Sequence, residues 1–315
     1  MAVTAGIITL YVVTPLLTLL GVGLTALLVH RHYAACCEPE ARRLVVCVLL
    51  MVPVYGVCSC LSLFLPRQFL YLDIVKEAYE AFVLYQFYQL LVHLFARRAP
   101  FHFDETQRFG QADKCAISEE ARDRQTDELF ARCQPYVAPC HLATITPSAP
   151  LLWHIRFCVQ QYLVLRLALP LVLVVLHNIG VYEHRQLTAD AAYMWLTLGL
   201  CNLSMTVAVA AVFLLVALIK PVIAPHTPLL KFMAIKLILV FIFWQSLLFS
   251  LLAACDALPF WLFVPAWTPL QTTEALHSSL ICFELAALAL YHHWIFPYDE
   301  HQRTSMLGGS DVATE

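Results

Sequence analysis

The chain has 315 residues, of which 61% are hydrophobic and only 13% charged, and its mean hydropathy is +0.73. This composition excludes an ordinary soluble domain, whose surface needs more charge, and it predicts an all-helical polytopic membrane protein. The formal net charge of -3 is close to neutral for this length. We therefore expect no nucleic-acid partner.

Runs of roughly 20 apolar residues, the length needed to cross a hydrocarbon core ~30 Å thick, occur seven times along the chain. The predicted spans are 7–28, 44–65, 74–95, 159–178, 191–218, 229–254 and 270–291. The first run has no basic residue before it and is followed by Arg31, so we interpret it as a transmembrane helix rather than a cleavable signal. Pro15, Pro53 and Pro170 lie inside spans, where each can kink its helix.

The domain organisation follows from these spans. Helices one to three occupy 1–95, a cytosolic loop occupies 96–158, helices four to seven occupy 159–296, and a cytosolic tail occupies 297–315. The orientation follows from the basic residues, because cytoplasmic flanks of membrane spans retain positive charge. Fourteen of the nineteen Lys and Arg residues fall on the side of the 96–158 loop, against Arg67, Lys76 and Arg185 on the other side. The amino terminus is thus predicted to be extracellular or lumenal and the carboxyl terminus cytosolic.

The third span carries polar groups along much of its length. With successive residues rotated by ~100° around the helix axis, five side chains form one stripe. Four charged side chains lie on a different side, near the start of the helix. The stripe consists of Tyr79, Phe82, Gln86, Gln89 and His93, and the second group consists of Asp73, Lys76, Glu77 and Glu80. Polar side chains in hydrocarbon are costly unless they face protein or water, so we expect this helix to lie inside the bundle. Asp73, Lys76 and Glu77 are interpreted as capping groups at the start of the helix.

Two polar layers follow from counting depth along each predicted span at ~1.5 Å per residue. The inner layer contains Arg166, Lys236 and Glu284, and we predict that Glu284 pairs with Lys236, Arg166 or both, with Gln89 as a neutral neighbour. The outer layer contains Glu80, Asn202, Gln245, His277 and Ser278.

These polar residues allow two interpretations. For Asn202, Ser204 and Gln245, hydrogen bonding across helices is the favoured one. For Glu80, Lys236 and Glu284, substrate binding or gating is favoured, because less costly residues would meet a packing role. His292 and His293 are predicted to lie at the cytosolic interface.

The twelve cysteines do not predict a disulfide framework, because most fall in spans or on the predicted cytosolic side. Cys36 and Cys37, just beyond the first span, and Cys140 in the loop are candidate lipidation sites. The sequence has no phosphate-binding glycine loop, no metal-ligand spacing, and no nucleophile with a base and an orienting acid. We therefore expect neither a cofactor nor a bound metal, and we expect that the protein is not an enzyme.

Several short stretches together resemble a known family. They are Pro53 with Tyr55, Ser59 with Leu61 and Ser62, Asp73, the run from Tyr79 to Phe82, Asn202 and Ser204, Pro228, the LKFMAIK and FWQ stretches of the sixth span, and ICFE followed by His292 in the seventh. In order and spacing they resemble the transmembrane protein 184 and organic solute transporter alpha family, which includes the plant Lazarus proteins. The resemblance implies a seven-helix protein with an external amino terminus, in plasma or endosomal, vacuolar and lysosomal membranes.

The same resemblance implies two functions. In the first, the protein is a facilitative carrier of amphipathic organic anions, lipids or steroids, surrounded by membrane lipids and working alone, as a homo-oligomer or with a single-span partner subunit. In the second, it is a scaffold or receptor in endosomal or vacuolar trafficking that transports nothing.

Overall fold

The computed structural model describes residues 2–35, 38–65, 68–98, 136–137, 144–145, 149–180, 191–223, 227–255 and 269–297. Within these residues lie eight helices and one two-stranded hairpin. The helices are α1 (Ala2–Ala35), α2 (Pro39–Leu49), α3 (Met51–Phe64), α4 (Phe69–Arg98), α5 (Ala149–Asn178), α6 (Ala191–Ile223), α7 (Pro228–Ala254) and α8 (Pro269–Ile295). Strands β1 (Tyr136–Val137) and β2 (Thr144–Ile145) pair antiparallel between α4 and α5.

Five stretches of the described chain are long and apolar enough to cross a membrane. They are Leu10–Ala35 in α1, Pro39–Phe64 across α2 and α3, Pro150–Val172 in α5, Gly199–Lys220 in α6 and Ala275–Ile295 in α8. Large apolar side chains such as Leu19, Val164 and Trp244 point outward from the bundle with 61–66% of their surface exposed. An apolar exterior of this kind suits contact with lipid rather than water. The prediction of a helical, multi-span chain is confirmed to this extent.

The second predicted span, 44–65, is interrupted six residues after its start. The helix breaks at Leu50, between α2 and α3, although the amide of Val54 still donates to the carbonyl of Leu50 at 3.1 Å. Pro53 lacks the N–H that would bond to the carbonyl of Leu49, and its ring disfavours a regular preceding turn. Helices α1 and α5 continue past Pro15 and Pro170 without such a break.

Helix α4 is the central helix of the bundle, as its polar sequence predicts. It packs against α2, α3, α5, α6 and α7. From Glu80 to Phe95 its buried side chains point in nearly every direction, and Phe87, Tyr88, Ala81 and Val83 are almost completely inaccessible. A helix that is buried all round is surrounded by protein rather than by lipid. The polar groups of α4 therefore face other helices.

Helix α1 packs along α8 and α3 through a stripe of small residues. Thr14, Thr18, Gly21 and Thr25 follow helical spacing and are all buried. A Cβ atom at Gly21 would lie 3.4 Å from Val52 Cγ1 of α3 and 3.7 Å from Ala286 Cα of α8. Small residues let membrane helices approach closely, which increases van der Waals contact where no hydrophobic effect drives association.

Candidate functional site: a central polar cluster

Glu80 of α4 lies at the centre of a buried hydrogen-bonded group. The hydroxyl of Tyr55 on α3 donates to its Oε2 at 3.2 Å, and the hydroxyl of Tyr162 on α5 donates to its Oε1 at 3.1 Å. All three residues are at least nine-tenths buried. A buried carboxylate is tolerated when its oxygens accept hydrogen bonds. The two tyrosines therefore fix Glu80 between three helices.

Arg166 of α5 and Glu77 of α4 form the nearest ion pair, with Nη2 3.4 Å from Glu77 Oε1. The charge of Glu80 also acts on Arg166. The Nε atom of Arg166 is buried and has no hydrogen-bond partner in the described chain. The Nε–H group of Arg166 is thus a hydrogen-bond donor that Glu77 does not use.

The interpretation of Asp73, Lys76 and Glu77 as capping groups is wrong. Helix α4 begins at Phe69, before the predicted start of its span, so these residues lie beyond the first turn. Lys76 is buried and pairs with Asp73 at 2.6 Å, while Glu77 pairs with Arg166. Their charges interact with one another and with Glu80. Lys76 therefore lies inside the bundle, while the side chains of Asp73 and Glu77 beside it are 25% and 39% exposed.

Lys236 of α7 completes the group. It is half-buried, and its ammonium interacts electrostatically with Glu80 and Arg166. In the part of the chain that the structure describes, no carboxylate lies within 4.0 Å of this ammonium. We call the group the central polar cluster and define it as Tyr55, Asp73, Lys76, Glu77, Glu80, Tyr162, Arg166 and Lys236. Its acidic and basic side chains balance in number, but Lys236 lacks a direct counterion.

The predicted division into an inner and an outer layer is wrong for this cluster. Arg166 was assigned to the inner layer and Glu80 to the outer one, yet Arg166 pairs with Glu77, one helical turn from Glu80 on α4. Helix α5 begins at Ala149 rather than at 159, so Arg166 lies about 25 Å along it at ~1.5 Å per residue. The depth of Arg166, counted from the predicted start of the span at 159, was therefore too small.

The predicted pairing of Glu284 with Lys236 or Arg166 is also wrong. Gln245 Nε2 of α7 donates to Glu284 Oε1 of α8, and Arg166 pairs with Glu77 instead. Glu284 Oε2 and Gln245 Oε1 are buried acceptors without a hydrogen-bond partner in the described chain. Glu284 and Gln245 thus form a separate polar contact between α7 and α8.

The other predicted site residues lie outside the central polar cluster. Gln89 donates to the hydroxyl of Tyr85 at 2.8 Å, and Gln86 is half-buried on the same side of α4. Asn202 is half-buried on α6, and Ser278 is buried on α8. No hydrogen bond between described residues joins these four side chains to Glu80.

The remaining polar stripe residues of α4 contact α2 and the segment before it. Tyr79 donates its hydroxyl to the carbonyl of Cys47 at 2.8 Å, and His93 Nε2 lies 3.1 Å from Glu38 Oε1. Ser204 lies two residues after Asn202 in the family stretch. Its hydroxyl donates to Gln161 Oε1 at 3.0 Å, across the contact between α5 and α6. The prediction that hydroxyls bond across helices is confirmed for Ser204.

Five members of the central polar cluster were not identified as site residues from the sequence: Asp73, Lys76 and Glu77, which were interpreted as capping groups, and two tyrosines. Tyr55 was quoted only as part of the family resemblance, and Tyr162 was not singled out. Tyr162 and Arg166 are four residues apart and therefore lie on one face of α5. This spacing was the available signal, and it places a hydroxyl donor beside a buried cation.

Several further predictions concern histidines and cysteines. His292 was predicted to be interfacial but is only 1% exposed, and its ring packs edge-on against Phe296. The lipidation candidates Cys36, Cys37 and Cys140 lie outside the described residues. The described cysteines are free thiols: Cys47, Cys58, Cys60, Cys158, Cys201, Cys255 and Cys282.

Comparison with known proteins gives the family. The chain is 25% identical over 283 residues to a transmembrane protein 184 homologue of Dictyostelium discoideum, a match that covers 88% of this chain and 50% of that protein. The chain thus spans about half the length of this relative. No solved structure matches the chain. The family model of the organic solute transporter Ostalpha matches residues 10–301. The five apolar stretches fit a multi-pass membrane protein. The chain therefore belongs to the organic solute transporter Ostalpha family.

Proposed function

We propose that the protein is a facilitative membrane transporter of amphipathic organic anions, with steroid or lipid conjugates as the substrate class. In this proposal Lys236 receives the anionic group of the substrate. The observation that carries it is the half-buried ammonium of Lys236, which has no counterion within 4.0 Å in the described chain although the other charges of the central polar cluster have close partners. Family membership supports transport as the general activity.

The ammonium of Lys236 carries the free-energy cost of a partly desolvated cation. A Lys side chain inside a membrane bundle is costly unless it is paired or functional. Glu80 attracts the ammonium at longer range, but both carboxylate oxygens of Glu80 already accept hydrogen bonds from Tyr55 and Tyr162. An incoming sulfate or carboxylate would give Lys236 the close partner that it lacks. Arg166, with its unused Nε donor, would be the second group to contact that anion.

We further propose seven spans, with the amino terminus outside or lumenal and the carboxyl terminus cytosolic. Helices α4 and α7 would add to the five apolar stretches, since they have 30 and 27 residues and a span needs about 20. The excess of basic residues on one side supports this orientation. The membrane would be the plasma membrane or an endosomal, vacuolar or lysosomal one, and a single-span partner or a second copy would be compatible with it.

The direct test is uptake into proteoliposomes that contain the purified full-length chain. Labelled bile acids, steroid sulfates and fatty acids would be offered separately, with protein-free vesicles as the background. The proposal predicts saturable, gradient-driven uptake of at least one anionic class. Uptake no greater than background for all three classes would refute it and would favour the scaffold or receptor function.

A further inference from the structure

The contact between Gln245 of α7 and Glu284 of α8 contains one hydrogen bond and two unused oxygens. Gln245 Nε2 donates to Glu284 Oε1. The other oxygens of the same two groups, Glu284 Oε2 and Gln245 Oε1, are buried and have no hydrogen-bond partner among the described residues. A carboxylate oxygen and an amide oxygen are both acceptors. Within the described chain, this one contact thus holds two buried acceptors that lack a donor.

Glu284 lies near the middle of an apolar stretch of α8. The stretch Ala275–Ile295 has 21 residues and is long and apolar enough to cross a membrane. It measures about 30 Å at ~1.5 Å per residue, so Glu284 is roughly 15 Å from either end. The preceding residue, Phe283, is 58% exposed on the apolar exterior of the bundle. The carboxyl group therefore lies at the depth of hydrocarbon, beside a lipid-facing surface.

The charged and titratable groups around this contact come from four helices. Helices α1, α3 and α7 pack against α8. Their groups are Tyr11, His30, Arg31, His32 and Tyr33 of α1, Tyr55, Cys58 and Cys60 of α3, and Lys231 and Lys236 of α7. Those of α8, besides Glu284, are Glu274, His277, Cys282, Tyr291, His292 and His293. In the part of the chain that the structure describes, no Lys, Arg or His nitrogen lies within 4.0 Å of the Glu284 oxygens.

Two of these groups, Lys236 and His277, precede the contact along α7 and α8. Lys236 lies about 13 Å before Gln245 along the helix axis and belongs to the central polar cluster. His277 lies about 10 Å before Glu284, and its Nε2 is 3.2 Å from the carbonyl oxygen of Ile242. Neither group serves as a close counterion of Glu284.

An ionised Glu284 would be an isolated charge at this depth. A carboxylate without a cation and with one oxygen unbonded carries a large desolvation cost, and such a group takes up a proton instead. The neutral carboxyl group has one O–H donor. An O–H on Glu284 Oε2 that donates to Gln245 Oε1 gives both unused oxygens a hydrogen bond.

We propose that Glu284 is a proton-binding site and that its proton is held between Glu284 Oε2 and Gln245 Oε1. The carboxylic acid and the amide then form a pair with two hydrogen bonds, which joins α7 to α8. When the proton leaves to water, Oε2 becomes an acceptor beside another acceptor, and the contact between the helices weakens. The site does not depend on transport of an anion at Lys236.

The test is infrared spectroscopy of the purified full-length chain in phosphatidylcholine nanodiscs at pH 7. The C=O stretch of a protonated carboxyl group lies at a higher frequency than the stretches of a carboxylate, and it shifts when H₂O is replaced by D₂O. Glu284→Gln should remove one such band. Glu40→Gln is the matched control, because the Glu40 side chain is 71% exposed, and it should remove none. A Glu284→Gln spectrum that keeps every protonated-carboxyl band, or that loses a carboxylate band instead, would overturn the proposal.

A second variant reports on the hydrogen bond and does not require Glu284→Gln to fold. Gln245→Leu removes the amide oxygen that accepts from the protonated carboxyl group. The band of Glu284 should therefore remain in the spectrum but move to higher frequency, because the carboxyl group loses its hydrogen bonds to the amide. A band that stays at its original frequency, or that disappears, would show that the proton is not held between these two side chains.

Discussion

Replacing the tyrosines that bond Glu80 should destabilise the bundle by a defined amount. Tyr55→Phe and Tyr162→Phe each remove one hydroxyl and keep the ring, so packing is nearly unchanged. Each hydroxyl donates to a different oxygen of the buried Glu80 carboxylate, at 3.2 Å and 3.1 Å. A hydrogen bond to a charged group contributes about 1.5–3 kcal/mol, and the buried oxygen left without a partner keeps its desolvation cost. We expect each substitution to lower the free energy of unfolding by that amount.

The assay is denaturant-induced unfolding of the purified protein in detergent, measured for Tyr162→Phe, Glu80→Gln and the double variant. If the hydroxyl donates to the carboxylate, removing it should cost less once Glu80 is neutral, with a coupling free energy of about 0.5–3 kcal/mol. Tyr33→Phe is the matched control, because Tyr33 is exposed and its hydroxyl makes no hydrogen bond to a described residue. Strictly additive losses in the cycle would refute the proposed contact.

Three further predictions address the rest of the bundle. Arg166→Gln should destabilise the protein by about 1 kcal/mol because it removes the ion partner of Glu77, whose side chain is 39% exposed, and Glu77→Gln in the same chain should recover part of that loss in the unfolding assay. Glu284→Gln and Gln245→Leu should be non-additive in a double-variant cycle, since their side chains contact each other; additivity would contradict that contact. Gly21→Ala should be neutral or raise the melting temperature slightly, because the new Cβ makes ordinary contacts and alanine favours the helix by ~1 kcal/mol, whereas a large loss would show that α1 packs more tightly.

Sequence patterns predicted the helical, multi-span chain because length and apolarity alone decide whether a helix can cross a bilayer. They also predicted that α4 lies inside the bundle, since its acids and amides could not face lipid. The break near Pro53 follows from the missing amide of proline. These features are local or depend on composition, so one sequence suffices to predict them.

Partner choice within the bundle could not be predicted, because it depends on how helices rotate and slide against one another. Glu284 meets Gln245 rather than Lys236, and Arg166 meets Glu77. The early start of α5 moved Arg166 by several turns relative to the depth that the apolar run implied. The same early start of α5 also places Tyr162 in the central polar cluster. Depth counts along predicted spans therefore fail where a helix extends well beyond its apolar stretch.

The most direct test of the central claim compares uptake of a steroid sulfate with uptake of the uncharged parent steroid in proteoliposomes that contain Lys236→Gln. We expect sulfate uptake to fall about tenfold or more, because a hydrogen-bonded ion pair of about 1.5–3 kcal/mol is lost, and we expect uptake of the neutral steroid to be unaffected. Lys236→Arg should retain much of the activity, and Lys220→Gln at the exposed end of α6 should retain all of it. Equal loss for both steroids, or no loss for either, would contradict the role of Lys236 as the anion-binding group.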